Sequence, residues 1–420
     1  MEITPSSDNF RQYLSFWIGQ LFSLLGSSIV QFVIIWWVTV ETGGSPIYLS
    51  IASLLASLPM VILTPFAGVL IDRWNKKYTI IATDSLQALI TFSLFLIFSF
   101  GLAEVWPVII INSLRGICQA IHFPTVNAII PFMVPKDKLS RMNGVNYLFT
   151  GAIQAIGPII GAFFYAFFPI TLILWVDIFT FFIALIPLLL IKIPSVNEKK
   201  EGDHPSSGFL KGYFKDFASG LKSIKIVPGL LTLFIFISVI NFLGVPYNTL
   251  MPSFISVNHN GEELDLAIVL GMIQLGIIAG AFVTSIKKTW KRMARIIVLG
   301  VLIGISGYFI STIAPTGNFI MIGLGGFIRA SMVPIINTMF LTILQTQIPH
   351  ENQGRVFSIV VAISRAVSPI GMLISGPLAE LWGIPLLYIV CIELEVAVVA
   401  ITWFCTSVKK VRYENIERLD

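Results

Sequence analysis

Long apolar runs separated by short polar breaks repeat from one end of the 420-residue chain to the other. A helix needs about 20 apolar residues to cross a hydrocarbon core of about 30 Å, and the runs have that length; the strands of a membrane barrel would be shorter and would alternate. The pattern predicts twelve membrane helices, at 14–40, 46–70, 78–103, 106–134, 142–168, 170–191, 228–256, 265–286, 294–314, 318–346, 356–381 and 384–407. One long polar stretch between the sixth and seventh runs divides the chain into a bundle at 1–191, a linker at 192–227 and a bundle at 228–420. In the linker Leu210, Tyr213, Phe214, Phe217, Leu221 and Ile224 recur at helical spacing among Lys211, Lys215, Lys222 and Lys225. That periodicity predicts an amphipathic helix lying in the inner headgroup layer, with a solvated linker as the alternative.

The two bundles are related. Arg115, Pro135 and Arg141 recur as Arg329, Pro349 and Arg355, each shifted by 214 residues, while Pro124 and Asn127 recur as Pro334 and Asn337, shifted by 210. Five pairs that agree with the topological midpoint indicate a duplicated six-helix unit. An arginine inside an apolar span costs several kcal/mol unless it faces protein or water, so Arg115 and Arg329 mark an interior.

Composition narrows the class. Hydrophobic residues make up 56% of the chain, charged residues 12%, and the mean hydropathy is +0.88, which excludes a soluble globule. With both termini placed inside, no Lys or Arg falls in any outer loop, so the positive-inside rule sets a multi-pass topology with cytoplasmic termini in the cell membrane. The net charge of +5 then reads as contact with anionic lipid headgroups, and nucleic acid is not needed as a partner. The first run is too long for a cleavable signal and is expected to stay. Three cysteines without paired spacing indicate neither a disulfide framework nor a metal site. There is no G-x-x-x-x-G-K-[ST] phosphate cradle and no H-E-x-x-H, so no cofactor, ATP hydrolysis or enzyme activity is expected, and an ion gradient must supply the work.

Between the second and third spans stands GVLIDRWNKK, and here the chain resembles the major facilitator superfamily. Gly68, Asp72, Arg73, Lys76 and Lys77 match that family's inner loop, with Asn75 where glycine is usual. The resemblance implies twelve helices in two pseudo-symmetric bundles, and a cytoplasmic gate formed by these residues with Arg141 and Arg355. It extends to GPIIGA in the fifth span, where Gly157, Pro158 and Gly161 stand at the family's antiporter motif and imply a helix hinge. WVD in the sixth span, PKDKLSRMNG and the stretch from Pro349 to Gly383 resemble the drug-exporter branch that includes bacterial macrolide efflux proteins and siderophore exporters.

The fourth span carries Asn112, Arg115, Gln119 and His122 at steps of three, four and three, one polar stripe on one helical face. Gln20, Ser27 and Gln31 superpose on a face of the first span, and Asn241, Tyr247 and Asn248 cluster around Pro246. With Gln119, His122, Asn127 and Asn337 these are the expected walls of a substrate cavity. Proton coupling needs a carboxylate inside the bundle, for which Glu41, Asp84, Asp177, Glu393 and Glu395 are candidates. Asp177 ranks first, then Glu393, with Arg115 and Arg329 as partners; Asp84 is expected to pair with the basic loop. An ion pair that only holds helices together is the alternative for each acid. The expectation is a monomeric secondary transporter that exchanges protons or another ion for an amphipathic, drug-like or siderophore-like small molecule. Uptake of a metabolite and a receptor or scaffold are the rival readings.

Overall fold

The computed structural model describes residues 7–191, 227–287, 290–406 and 408; the described residues are helical apart from short breaks, and no strand occurs among them. In chain order the helices are α1 (Ser7–Glu41), α2 (Pro46–Arg73), α3 (Lys76–Ser99), α4 (Val105–Met133), α5 (Lys136–Phe167), α6 (Ile170–Leu190), α7 (Leu230–Ser253), α8 (Glu263–Ile286), α9 (Met293–Thr312), α10 (Phe319–Gln347), α11 (His350–Trp382) and α12 (Ile384–Cys405). A π-helical turn, Phe254–Asn258, extends α7. Every expected span has its helix, and the expected interfacial helix of the linker lies outside the described residues. By length and composition 11 of the helices can cross a membrane. α4 falls short because Asn112, Arg115, Gln119 and His122 dilute its apolar character.

Residues that cannot continue a helix set the breaks. Pro135 and Pro349 stand at the N-caps of α5 and α11 with nearly the same backbone, φ −56°, ψ 143° and φ −53°, ψ 142°. Proline lacks an N–H and forces its predecessor out of the helical region, so it closes one helix and opens the next. The two prolines are a repeated pair, and Pro169, outside the repeat, stands at the N-cap of α6 with similar angles, φ −64° and ψ 146°. Asn75 caps α3, its Oδ1 accepting from the N–H of Lys77 at 3.0 Å and of Tyr78 at 3.4 Å. Its φ of −69° is ordinary, so this turn does not require glycine.

Contacts divide the chain into two compact units, Met1–Glu198 with Pro252–Gly271, and Lys199–Met251 with Met272–Asp420. In unit 1, α1 packs on α5 and α6, α2 on α4, and α3 on α4 and α6. Pro252–Gly271 belongs with it: Ser253 Oγ donates to the Gly44 carbonyl, and Trp36 Nε1 donates to Glu263 Oε2 at 3.2 Å. In unit 2, α9 packs on α10 and α12, and α11 on α12, the neighbours that α3 and α5 have in unit 1.

Lipid tails are as apolar as leucine, so close packing and polar contacts, more than escape from water, hold such helices together. Gly116 on α4 lies against the Ala56 carbonyl of α2, and Gly280 on α8 against the Ser331 carbonyl of α10, where any Cβ would collide. At the end of unit 1 that carries the N-terminus, Tyr13, Phe16 and Trp17 interlock with Ile80, Ile129, Met133 and Leu188.

α5 runs unbroken through Pro158, and its glycines pack against α1. A Cβ at Gly157 would collide with Ser28 Oγ and come within 2.7 Å of Ser28 Cβ; one at Gly161 would stand 3.1 Å from the Ile29 carbonyl. What the structure shows at this motif is a packing seam. Gly157→Ala is therefore expected to lower the thermal unfolding midpoint of the detergent-solubilised protein, by an overpacking cost of about 1–3 kcal/mol. Ser28→Gly in the same chain removes both colliding atoms and should restore most of the loss; no restoration would mean the glycine is needed for something other than room.

Candidate ion-coupling site

In unit 1 the polar residues of four apolar helices meet. Asp177 lies two turns into α6, 4% exposed, and both of its oxygens are occupied: Oδ1 accepts from Ser27 Oγ of α1 at 2.9 Å, Oδ2 from Thr91 Oγ1 of α3 at 2.6 Å. Arg115 of α4 brings Nη2 to 3.2 Å from the same Oδ2, itself 6% exposed. Behind Ser27 a chain of amides runs in one direction. Gln119 Nε2 donates to Gln87 Oε1 at 2.8 Å, and Gln87 Nε2 donates to Ser27 Oγ at 2.7 Å. Each donor thus points toward Asp177, which as a carboxylate only accepts.

A second cluster sits farther along the same helices. Asp84 of α3 faces His122 of α4, Oδ1 to Nε2 3.0 Å, and Gln20 of α1 touches both, its Nε2 donating to Asp84 Oδ2 at 3.2 Å and its Oε1 lying 3.0 Å from His122 Nε2. Asp84 was expected to pair with the basic loop. The loop's Lys77 is engaged elsewhere, donating from Nζ to the Leu189 and Ile191 carbonyls at 2.7 Å each, where it caps the C-terminus of α6.

Unit 2 repeats the ion pair and replaces its surroundings. Arg329 of α10 grips Glu395 of α12 with both prongs, Nη2 to Oε1 2.8 Å and Nη1 to Oε2 3.2 Å, and Glu395 is fully buried. The guanidinium lies over the ring of Tyr308 at 4.4 Å and of Tyr247 at 5.6 Å, where Tyr388 completes an aromatic triad. Gly244 leaves the room: a Cβ there would stand 2.8 Å from Arg329 Nη2. Both repeated arginines therefore pair with an acid on the last helix of their own unit, as an interior position requires.

The structure corrects several placements. Glu393, ranked above its neighbour, is exposed, and Glu395 is the buried acid, because residues two apart lie near opposite faces of a helix. Of the expected cavity walls, Gln20, Ser27, Gln119 and His122 enter the unit 1 network, and Gln31 is half-buried. Tyr247 is buried, its hydroxyl 3.0 Å from Ser311 Oγ. Asn127, Asn241, Asn248 and Asn337 are exposed; Asn127 and Asn248 turn back to carbonyls of their own helices, Phe123 and Gly244. Among the expected gate residues, Lys76 Nζ lies 5.5 Å above the Phe132 ring and Arg141 is exposed. Gly68, Asp72, Arg73 and Arg355 are helical in backbone, and their side chains lie outside the described residues. Sequence reasoning passed over Gln87 and Thr91. Their signal was present: 84, 87 and 91 follow the same three-and-four rhythm as the α4 stripe.

A model of the Major Facilitator Superfamily matches residues 16–372. Macrolide efflux protein A of Streptococcus pyogenes is 28% identical over 378 residues, 89% of this chain and 90% of that protein. The staphyloferrin A transporter of Staphylococcus aureus is 25% identical over 384 residues, 90% of this chain and 89% of its own. Among solved structures, the nucleoside transporter NupG superposes with a TM-score of 0.69 at 11% identity, covering 95% of this chain and 99% of that one. A bacterial homologue of the iron transporter ferroportin, in an inward-facing state, superposes with a TM-score of 0.69 at 15% identity, covering 93% and 98%. At such identities the likeness is one of fold.

Proposed function

The chain belongs to the Major Facilitator Superfamily and is a multi-pass membrane transporter, not an enzyme, and from that premise we propose that it exports an amphipathic small molecule in exchange for protons. It works in the cell membrane with both termini in the cytoplasm. The observation that carries the coupling is the pair of buried ion pairs, Arg115 with Asp177 and Arg329 with Glu395, on corresponding helices of two homologous units. Ionised groups at such depth are expensive, and transporters keep them where charge must be handled. The export direction and the substrate class rest on the similarity to macrolide efflux protein A and, for a siderophore-like cargo, to the staphyloferrin A transporter. In this reading access to the substrate alternates between the two membrane faces.

A pump-deficient bacterium expressing the protein tests this with two probes, ethidium and a radiolabelled macrolide. Cells should accumulate less of at least one probe than cells with empty vector, and a protonophore should erase the difference. Greater accumulation would turn the reading to uptake; a difference that survives the protonophore would remove proton coupling.

A further inference from the structure

The two acid clusters of unit 1 are built differently, and the difference bears on where a proton can bind. Asp177 is held by two hydroxyl donors and a guanidinium, three of the roughly four hydrogen bonds a carboxylate can accept. The other cluster leaves a place. Gln20 presents its amide nitrogen to Asp84, which orients its carbonyl toward His122. His122 Nε2 then faces two acceptors, Asp84 Oδ1 and Gln20 Oε1, each at 3.0 Å, and so must carry a hydrogen. Nδ1 remains as the nitrogen that accepts a second one. The side chains are 17% and 10% exposed, against 4% for Asp177, so this cluster is the less enclosed of the two.

We propose that His122, paired with Asp84 and steadied by Gln20, is the group that takes up and releases the coupling proton. A proton from water adds to Nδ1, and the resulting imidazolium faces the Asp84 carboxylate; release reverses the step. The titratable neighbours are few. On α4 itself Cys118 and Arg115 lie one and two turns away, and on α6 Asp177 is reached through Ser27 and Gln87. Other titratable groups of the packed helices stand toward their ends: Arg11, Tyr13 and Glu41 on α1, Tyr48 on α2, Lys76, Lys77 and Tyr78 on α3, Lys136, Asp137, Lys138, Arg141 and Tyr165 on α5; the side chains of Asp72, Arg73 and Tyr147 lie outside the described residues. The dyad stands about one helical turn from the Gln87–Gln119 contact on both α3 and α4, so a charge appearing on it acts on the amide chain that ends at Asp177.

The inference rests on the proton-coupled reading, and two measurements keep their failures apart. The first needs no substrate: NMR titration of the intact protein labelled with carbon-13 at histidine Cε1, the His122 signal being assigned by its loss in His122→Gln. That signal should titrate within the working pH range, and Asp84→Asn should displace its midpoint. A His122 signal that does not titrate, or one indifferent to Asp84→Asn, overturns the proposal. The second is ethidium transport into proteoliposomes under an imposed pH gradient. Wild type should respond to the gradient, and His122→Gln should lose that response. A wild type that transports ethidium yet ignores the gradient defeats the proton-coupled reading and with it the coupling role of His122, whatever the titration shows. A His122→Gln protein with an intact response defeats the dyad.

Discussion

Glu395→Gln is expected to destabilise the protein severely, while Glu393→Gln two residues away leaves it within about 0.5 kcal/mol of wild type, as exposed substitutions generally do. Glu395 is fully buried and both its oxygens are held by Arg329. Removing one partner of a buried pair costs about 3–5 kcal/mol, because the remaining charge has neither water nor a counter-ion. Tyr308 and Tyr247 soften this for Arg329, since a cation over a desolvated ring gains about 2 kcal/mol, but they do so in the wild type as well. The loss should appear as a lowered unfolding midpoint in detergent, or as failed expression. The double variant Arg329→Met, Glu395→Leu keeps the volume and removes both charges, a replacement that is often neutral or stabilising, and should recover the fold. Equal midpoints for Glu395→Gln and Glu393→Gln would show that the pair contributes nothing to unit 2.

The same pair shows how far the sequence could be read. The twelve spans and the duplicated arginines were legible because they depend on apolar runs and on one charge whose cost is large. The acid partner was not. Moving Asp177 by the 214 residues that relate the arginines leads to Cys391, whereas Glu395 lies one helical turn beyond it. A turn restores the face, so the acid is equivalent in direction though not in alignment, and only packing could choose Glu395 over Glu393. Thr91 was hidden for another reason: a threonine within a helix can satisfy its hydroxyl on its own backbone, as Thr91 also does on the Gln87 carbonyl at 3.1 Å. Asn127 and Asn337 mislead in the opposite direction, since a repeated residue records common ancestry and both are exposed.

The units differ most in what surrounds the shared pair. Arg329 lies against the rings of Tyr308 and Tyr247, and Arg115 faces a carboxylate wired by amides and hydroxyls to α1, α3 and α4. A duplicated structural staple would have no reason to acquire the wiring on one side only. On the proposed reading, that asymmetry assigns ion handling first to unit 1.

Asp177→Asn should accordingly abolish transport driven by a pH gradient in proteoliposomes. Asparagine keeps the shape but has one accepting oxygen where aspartate has two. If that oxygen stays with Thr91 and Arg115, the new amide donates toward Ser27, whose oxygen already receives Gln87 Nε2. The donor chain from Gln119 then meets another donor, and the charge that ended it is gone. Arg115 suffers too: its Nη1 is buried without a hydrogen-bond partner among the described residues even in the wild type, so losing the counter-charge should cost about 3–5 kcal/mol. Lost flux alone would therefore not separate coupling from misfolding. Combining Asp177→Asn with Arg115→Gln removes both charges and should bring back the unfolding midpoint without bringing back the pH response, while the His122 titration persists. If the double variant instead drives flux with the wild-type dependence on the gradient, Arg115 and Asp177 only tie α4 to α6, and the coupling charge must be sought elsewhere.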